Sequence, residues 1–128
     1  MLLFLANTEY QVMDGCSRQN NPTHQPGSVS GYYSVNLQVA EIVCCSKNGA
    51  SCSRKLPNNK CRSGHAKHED KKVTWEFANA QCESEGLRLC TSQEELDRCC
   101  GTGCWYDFKA VWTGNSRGKY FQLINKIN

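Results

Sequence analysis

Ten cysteines carry the obvious chemistry of this chain: Cys16, Cys44, Cys45, Cys52, Cys61, Cys82, Cys90, Cys99, Cys100 and Cys104. Sulfur at that density serves a metal centre, a redox site or a set of disulfides. Zinc needs four N or S ligands in a tetrahedron, usually as two close pairs. The nearest pattern is Cys61, His65 and His68, spaced C-x3-H-x2-H with Cys52 ahead of it, plus Cys100 and Cys104 spaced C-x3-C. There is no C-x2-C, and Glu69-Asp70-Lys71-Lys72 makes the histidine segment a solvated one. We therefore expect disulfides and exposed histidines, with no metal and no other cofactor. Redox catalysis normally places C-x-x-C on a thioredoxin-like unit, and the chain carries neither. In the vicinal pairs Cys44-Cys45 and Cys99-Cys100 each partner is expected to bond elsewhere. An even number of cysteines at this density points to an oxidising compartment: extracellular, secretory, or another oxidising lumen such as that of a plastid. The stretch CCGTGCWYD, residues 99–107, then reads as a structural knot whose cysteines reach the loops around Cys45 to Cys61.

Other catalytic patterns are weak. Gly114-Asn115-Ser116-Arg117-Gly118 matches G-x-S-x-G, but a nucleophile elbow needs a hydrolase sheet and a distant His. A polar hairpin turn is the expected structure. Glu94 and Glu95 are adjacent and point to different helix faces, so they do not form an acid/base pair. No enzymatic activity is expected.

The elements that must position these residues follow from composition and pattern. The 128 residues suit one domain, with 39% hydrophobic residues, mean hydropathy −0.61 and net charge +3. The apolar run Leu2 to Ala6 is far short of the ~20 residues of a spanning helix. It resembles the tail of a signal peptide but lacks a basic n-region, and we read it as a strand or docking segment of the folded chain. Charges are mixed and no basic stripe with interleaved aromatics is apparent, which argues against nucleic acid. No N-x-S/T acceptor occurs. Residues 14–31, rich in Pro, Gly and short polar residues, read as an irregular stretch pinned by Cys16. We therefore assign residues 1–31 to an N-terminal arm and 32–128 to a disulfide-rich domain.

Within that domain Tyr33, Val35, Leu37 and Val39 alternate with polar residues, which predicts a half-buried strand that breaks at Glu41. A bulge or second short strand is expected before Cys44. Residues 46–72 form a polar loop with a turn at Asn48-Gly49, stapled by Cys52 and Cys61. Thr74 caps a helix with Trp75, Ala78 and Cys82 on one face and Gly86 as its stop. Ser92, with Glu95 three residues on, fits the capping box of a second helix. Gly101 and Gly103 suit positive φ. KAVWTG and KYFQLINKI read as strands. Trp75, Ala78, Leu87, Leu89, Leu96, Val111 and Trp112 are expected in one core. The fold class is α+β: two short helices on a small, mainly antiparallel sheet.

The segment TWEFANAQCESEGLRLCTSQEELD, followed by VWTG, resembles the first half of a C-type-lectin-like domain. Trp75, Ala78, Cys82, Gly86, Leu89, Glu95, Trp112 and Gly114 match the family's order over residues 73–114. The region is closer still to small cysteine-rich modules of this type in secreted proteins of algae and other microbes. Only 14 residues follow Gly114, so the resemblance implies a trimmed or permuted relative whose missing strands come from the N-terminal half. LQVAEIVCC then stands in for the closing strand, and Cys82 bonds to Cys44 or Cys45. The family's calcium-binding Glu-Pro-Asn and Trp-Asn-Asp strings, whose oxygens suit a hard cation, have no proper match here.

Two function classes follow as expectations. The first is a non-enzymatic structural or protein-interaction subunit of a larger assembly. The second is a carbohydrate-binding, lectin-like module that is independent of calcium. Candidate contact residues are Trp105, Tyr106 and Asp107 at the knot. Leu2, Leu3, Phe4, Leu5 and Tyr32 are candidates for a protein partner.

Overall fold

The computed structural model describes residues 8–17, 31–64 and 71–118. The order of elements is β1 (Thr8–Asp14), β2 (Gly31–Ser34), β3 (Cys44–Cys45), β4 (Cys52–Ser53), α1 (Trp75–Glu83), β5 (Arg88–Leu89), α2 (Gln93–Asp97), a 3-10 turn (Tyr106–Phe108) and β6 (Ala110–Gly118). Two three-stranded antiparallel sheets result, in the orders β2-β1-β6 and β4-β3-β5. The α+β class is as expected. Thr8–Asp14, assigned to the arm from its sequence, is instead the middle strand of the first sheet. TEYQVMD has polar residues at Thr8, Glu9, Gln11 and Asp14, without strict alternation, and only one fully buried side chain, Val12, so little in its composition announces a central strand.

The chain between Val39 and Cys45 joins the sheets. Glu41 donates its amide to the Ala110 carbonyl at 3.0 Å and accepts from the Trp112 amide at 3.0 Å, while Gly114 N–H reaches the Cys90 carbonyl at 2.9 Å. Successive residues of extended chain face opposite ways, and here each face has its own core. Val12, Ile42, Cys44, Leu89 and Trp112 lie in one cluster with Ala78 and Cys82 of α1. Their neighbours Met13, Val43, Cys45, Cys90 and Val111 belong to the other, with Leu96, Cys99, Cys104 and Tyr106. The single core expected from sequence is thus two, with Leu96 and Val111 on the far side from Trp112. Trp112 itself is fully buried, its indole N–H donating to the Val73 carbonyl at 2.8 Å.

The helices start and stop as their sequences dictate. Phe77 N–H donates to Thr74 Oγ1 at 3.1 Å, satisfying an orphan amide of α1. Leu87 N–H returns to the Cys82 carbonyl and Gly86 N–H to that of Glu83, a Schellman closure around Gly86 at φ +73°. Ser92 caps α2 through Glu95 N–H, but the reciprocal carboxylate bond goes to Thr91 N–H at 2.8 Å, one residue before the expected capping-box partner. Glu95 also receives Arg88 in a bidentate pair at 3.0 and 2.7 Å, tying β5 to α2.

Two expected elements differ. The strand predicted over Tyr33–Val39 ends at Ser34, where Leu37 N–H turns back to the Ser34 carbonyl and Ser34 Oγ bonds Asn36 Oδ1. This local pairing competes with a ladder, and Leu37 is left exposed. Gly114–Gly118 is no hairpin turn but the distal half of β6. The pairing of β1 with β6 slips between Tyr10 and Val12, so a bulge is accommodated there. Asn115 Nδ2 fills it by donating to the Gln11 side chain at 3.0 Å and the Thr91 carbonyl at 2.7 Å. KYFQLINKI lies outside the described residues.

All ten cysteines are paired: Cys16–Cys100, Cys44–Cys82, Cys45–Cys90, Cys52–Cys99 and Cys61–Cys104. Both vicinal pairs split, as expected. Cys100 departs from expectation. It bridges to Cys16 at the end of β1 rather than to the loops around Cys45 to Cys61.

Two outcomes follow. A Cβ on Gly15 would sit 1.8 Å from the Tyr106 carbonyl oxygen, so Gly15→Ala must push the end of β1 off the 3-10 turn. Thermal unfolding should register a loss of about 1–3 kcal/mol or more, the usual range for overpacking; an unchanged midpoint would refute this packing. The Arg88 pair holds the Glu95 carboxyl down to about 2 from an ordinary 4.5. A depressed folded-state pKa stabilises above the unfolded value and is lost as pH falls through the folded one. Stability should therefore drop between about pH 4.5 and 2, and Glu95→Gln should flatten that part of the acid limb in pH-dependent denaturation.

A candidate binding recess at the cysteine knot

After α2 the chain tightens through successive three-residue turns, with Cys99 and Cys100 N–H returning to Leu96 and Asp97. Gly101 then adopts φ +75°, and Gly103, Cys104 and Trp105 follow at +105°, +62° and +59°. Glycine accepts this region freely, whereas Cys104 and Trp105 are each held there at a cost of about 1–2 kcal/mol. Two anchors on either side of Trp105 fix the conformation. Cys104 is bonded to Cys61. Tyr106 is fully buried, its hydroxyl donating to Ser63 Oγ at 2.8 Å and accepting from Ser63 N–H at 3.1 Å.

The left-handed step turns Trp105 outward and Tyr106 inward. Trp105 is 41% exposed and tilts against Phe108, the ring centroids 5.4 Å apart. Tyr106, expected at the surface beside it, is a core residue. Its position after the turn, rather than its aromatic character, decides this. Burial pushes its hydroxyl up to about 12, so at neutral pH it is a protonated hydrogen-bond group and no base.

Asp107 accepts Gly101 N–H through both oxygens, at 3.0 and 3.1 Å, and pairs with Arg54. The Arg54 side chain is 1% exposed and donates to the carbonyls of Gly103 at 3.2 Å and Gly15 at 3.1 Å. Desolvation lowers its pKa and the Asp107 carboxylate opposes that shift. A buried guanidinium without its carboxylate would be strongly unfavourable, so the pair locks the knot to the end of β1. Arg54, Gly101, Gly103, Trp105, Asp107 and Phe108 line an open recess of about 250 Å³. Lys55 stands at its rim, with Cε 3.1 Å and Nζ 3.4 Å from where a Cβ on Gly103 would be.

This arrangement offers an aromatic face, a fixed carboxylate and backbone groups on a rigid turn. The three cysteines beside it are oxidised and provide no thiolate nucleophile. It is suited to stacking and hydrogen bonding. Arg54, Lys55 and Phe108 were missed from sequence because the approach of residues 54 and 55 to residues 103–108 joins segments about 50 residues apart.

The other candidates are dispersed. Tyr32 lies on edge strand β2, half-buried, with the Arg117 guanidinium 4.5 Å from its ring centroid and Arg117 paired to Glu9 at 2.7 Å. Leu2, Leu3, Phe4, Leu5, His65 and His68 lie outside the described residues. Cys52, Cys61, Cys100 and Cys104 are disulfide sulfurs, which lack the thiolate a metal requires. Sulfur and carboxylate converge within 4.8 Å at Cys16, Asp97 and Cys100 and at Cys45, Cys90 and Glu95, but in both sets the sulfurs are bonded to each other. Asp97 is held by Ser17 and Gln93, and Glu95 by Arg88. No helix among the described residues is long and apolar enough to cross a membrane.

Tyr106→Phe leaves the buried Ser63 N–H without its partner, while Ser63 Oγ keeps only the Ile42 N–H at 3.2 Å, a loss of about 1–3 kcal/mol. Urea denaturation should show the shift while all five bridges still form; an unaltered midpoint would mean the Ser63 contact contributes nothing. No protein-family model, curated protein or solved structure matches this chain.

Proposed function

We propose that the chain is a non-enzymatic, disulfide-stapled structural or protein-interaction subunit of a larger assembly in an oxidising compartment, on a trimmed or permuted C-type-lectin-like plan. The pairing of all ten cysteines supports the compartment. The Cys44–Cys82 bridge, the buried Trp112 and the contact of residues 40–42 with β6 are in keeping with the lectin-like plan. The observation that carries the interaction role is the set of large apolar side chains facing solvent on a cross-linked scaffold: Phe77 at 56%, Leu37 at 45% and Trp105 at 41% exposure. A scaffold this constrained loses little conformational freedom on docking. Cross-linking followed by sizing of the protein from its source under non-reducing conditions tests the reading. A stable larger species with cross-links beside Leu37, Phe77 or Trp105 is expected. A monomer at every concentration, with no cross-linked partner, would overturn it.

A second reading, calcium-independent carbohydrate binding, is favoured by the recess itself. An exposed indole beside a hydrogen-bonding carboxylate matches what a sugar ring presents, an apolar face and polar edges. Glycan binding should then persist in a chelator and fall at least about tenfold in Trp105→Ala.

A further inference from the structure

The recess adjoins the most unevenly charged segment of the chain. Residues 46–72 hold eight Lys and Arg and two Asp and Glu, a net +6; the remainder holds seven and ten, a net −3. Its described residues, 46–64 and 71–72, include no acidic one, Glu69 and Asp70 lying outside them. Its two arginines turn inward, Arg54 to Asp107 and Arg62 to Glu85. Arg62 is almost fully buried and spends its donors on Glu85, Gln81 and Ser53. The lysines are what the segment shows to solvent. Lys47 and Lys60 are exposed, Lys55 is half-buried, and exposed Lys71 places Nζ 3.6 Å from where a Cβ on Gly64 would be. None of the ion pairs among the described residues uses these four.

Like charges on one polar loop favour its spreading. This one is prevented from doing so. Cys52–Cys99 and Cys61–Cys104 clamp it, and Leu56 N–H bonds the Lys60 carbonyl at 2.8 Å across its turn. The exposed lysines are therefore carried on a fixed scaffold, where a polyanion would pair with them. Lys55 joins this surface to the recess, since its ammonium lies beside Gly103 in the same wall as Trp105 and Phe108.

We infer that the Lys55–Lys60 hairpin, Lys71 and the Trp105 recess form one binding face for an acidic polysaccharide, with a sugar ring on Trp105 and its sulfate or carboxylate groups on the lysines. The inference rests on the carbohydrate reading of the recess and names its ligand class. Charge complementarity selects a polyanion. In the oxidising compartment proposed above, acidic glycans rather than nucleic acid are the linear polyanions such a face would meet.

Binding to immobilised dextran sulfate and alginate tests it, with neutral dextran, poly-glutamate and single-stranded DNA as competitors. Both acidic polysaccharides should bind, and affinity should fall at least about tenfold as salt rises from about 50 to about 200 mM, through counterion release. The triple variant Lys55→Gln, Lys60→Gln, Lys71→Gln should lose at least about tenfold in affinity, and so should Trp105→Ala. Both variants should keep the wild-type non-reduced mass and circular dichroism. Failure of both acidic polysaccharides to bind would overturn the inference. So would equal binding of poly-glutamate or DNA that ignores Trp105→Ala. Neutral dextran bound as tightly, and unaffected by the lysine changes, would remove the inference but leave the carbohydrate reading. No polysaccharide binding at all removes both.

Discussion

Two adjacent cysteines in a two-residue strand organise this molecule. Because neighbouring residues of extended chain point to opposite faces, Cys44 and Cys45 cannot serve the same core. Cys44 reaches Cys82 on α1, and Cys45 reaches Cys90 after β5. Both bridges are fully buried. The strand layer is thereby fastened from both sides at one point, and the period-two division of Ile42/Val43, Leu89/Cys90 and Val111/Trp112 between the two clusters follows the same alternation. Neither cluster is large, and small cores of this kind are commonly supplemented by covalent links.

The second vicinal pair extends the arrangement outward. Cys99 holds the polar loop through Cys52, while Cys100 holds the end of β1 through Cys16. Together with Cys61–Cys104 they bring two sequence-distant segments, the end of β1 and the polar loop, to one turn. That turn can then keep Cys104 and Trp105 in the left-handed region, which a free loop would abandon. The exposure of Trp105 accompanies the left-handed step that the Cys61–Cys104 bridge anchors. Buried Arg54 plays the electrostatic counterpart, joining Gly15, Gly103 and Asp107 around one guanidinium.

Features governed by local chemistry were legible in the sequence. Thr74 and Ser92 as caps, Gly86 as a stop, Gly101 and Gly103 at positive φ, and the oxidised state of the cysteines all follow from residue type and near neighbours. Features governed by distant partners were not. Nothing in TEYQVMD says that β6 and β2 will flank it. The alternation through Tyr33 to Val39 is real, but Ser34 and Asn36 spend their polar groups locally and Trp75 N–H takes the Val35 carbonyl at 3.2 Å. Tyr106 looked like a surface aromatic because the reversal at Trp105 is visible only with the Cys61 bridge in place.

The central claim is that five specific bridges, with the vicinal cysteines divided between different partners, hold the layer and the turn together. Proteolysis of the non-reduced protein at low pH, where exchange is suppressed, followed by mass spectrometry of the linked peptides, tests it most directly. Sequential cleavage and fragmentation must separate residues 44 from 45 and 99 from 100. The account predicts Cys16–Cys100, Cys44–Cys82, Cys45–Cys90, Cys52–Cys99 and Cys61–Cys104, with no thiol available to alkylation. A vicinal Cys44–Cys45 or Cys99–Cys100 bridge, an exchange of partners between Cys82 and Cys90, or free thiols at the knot would contradict it.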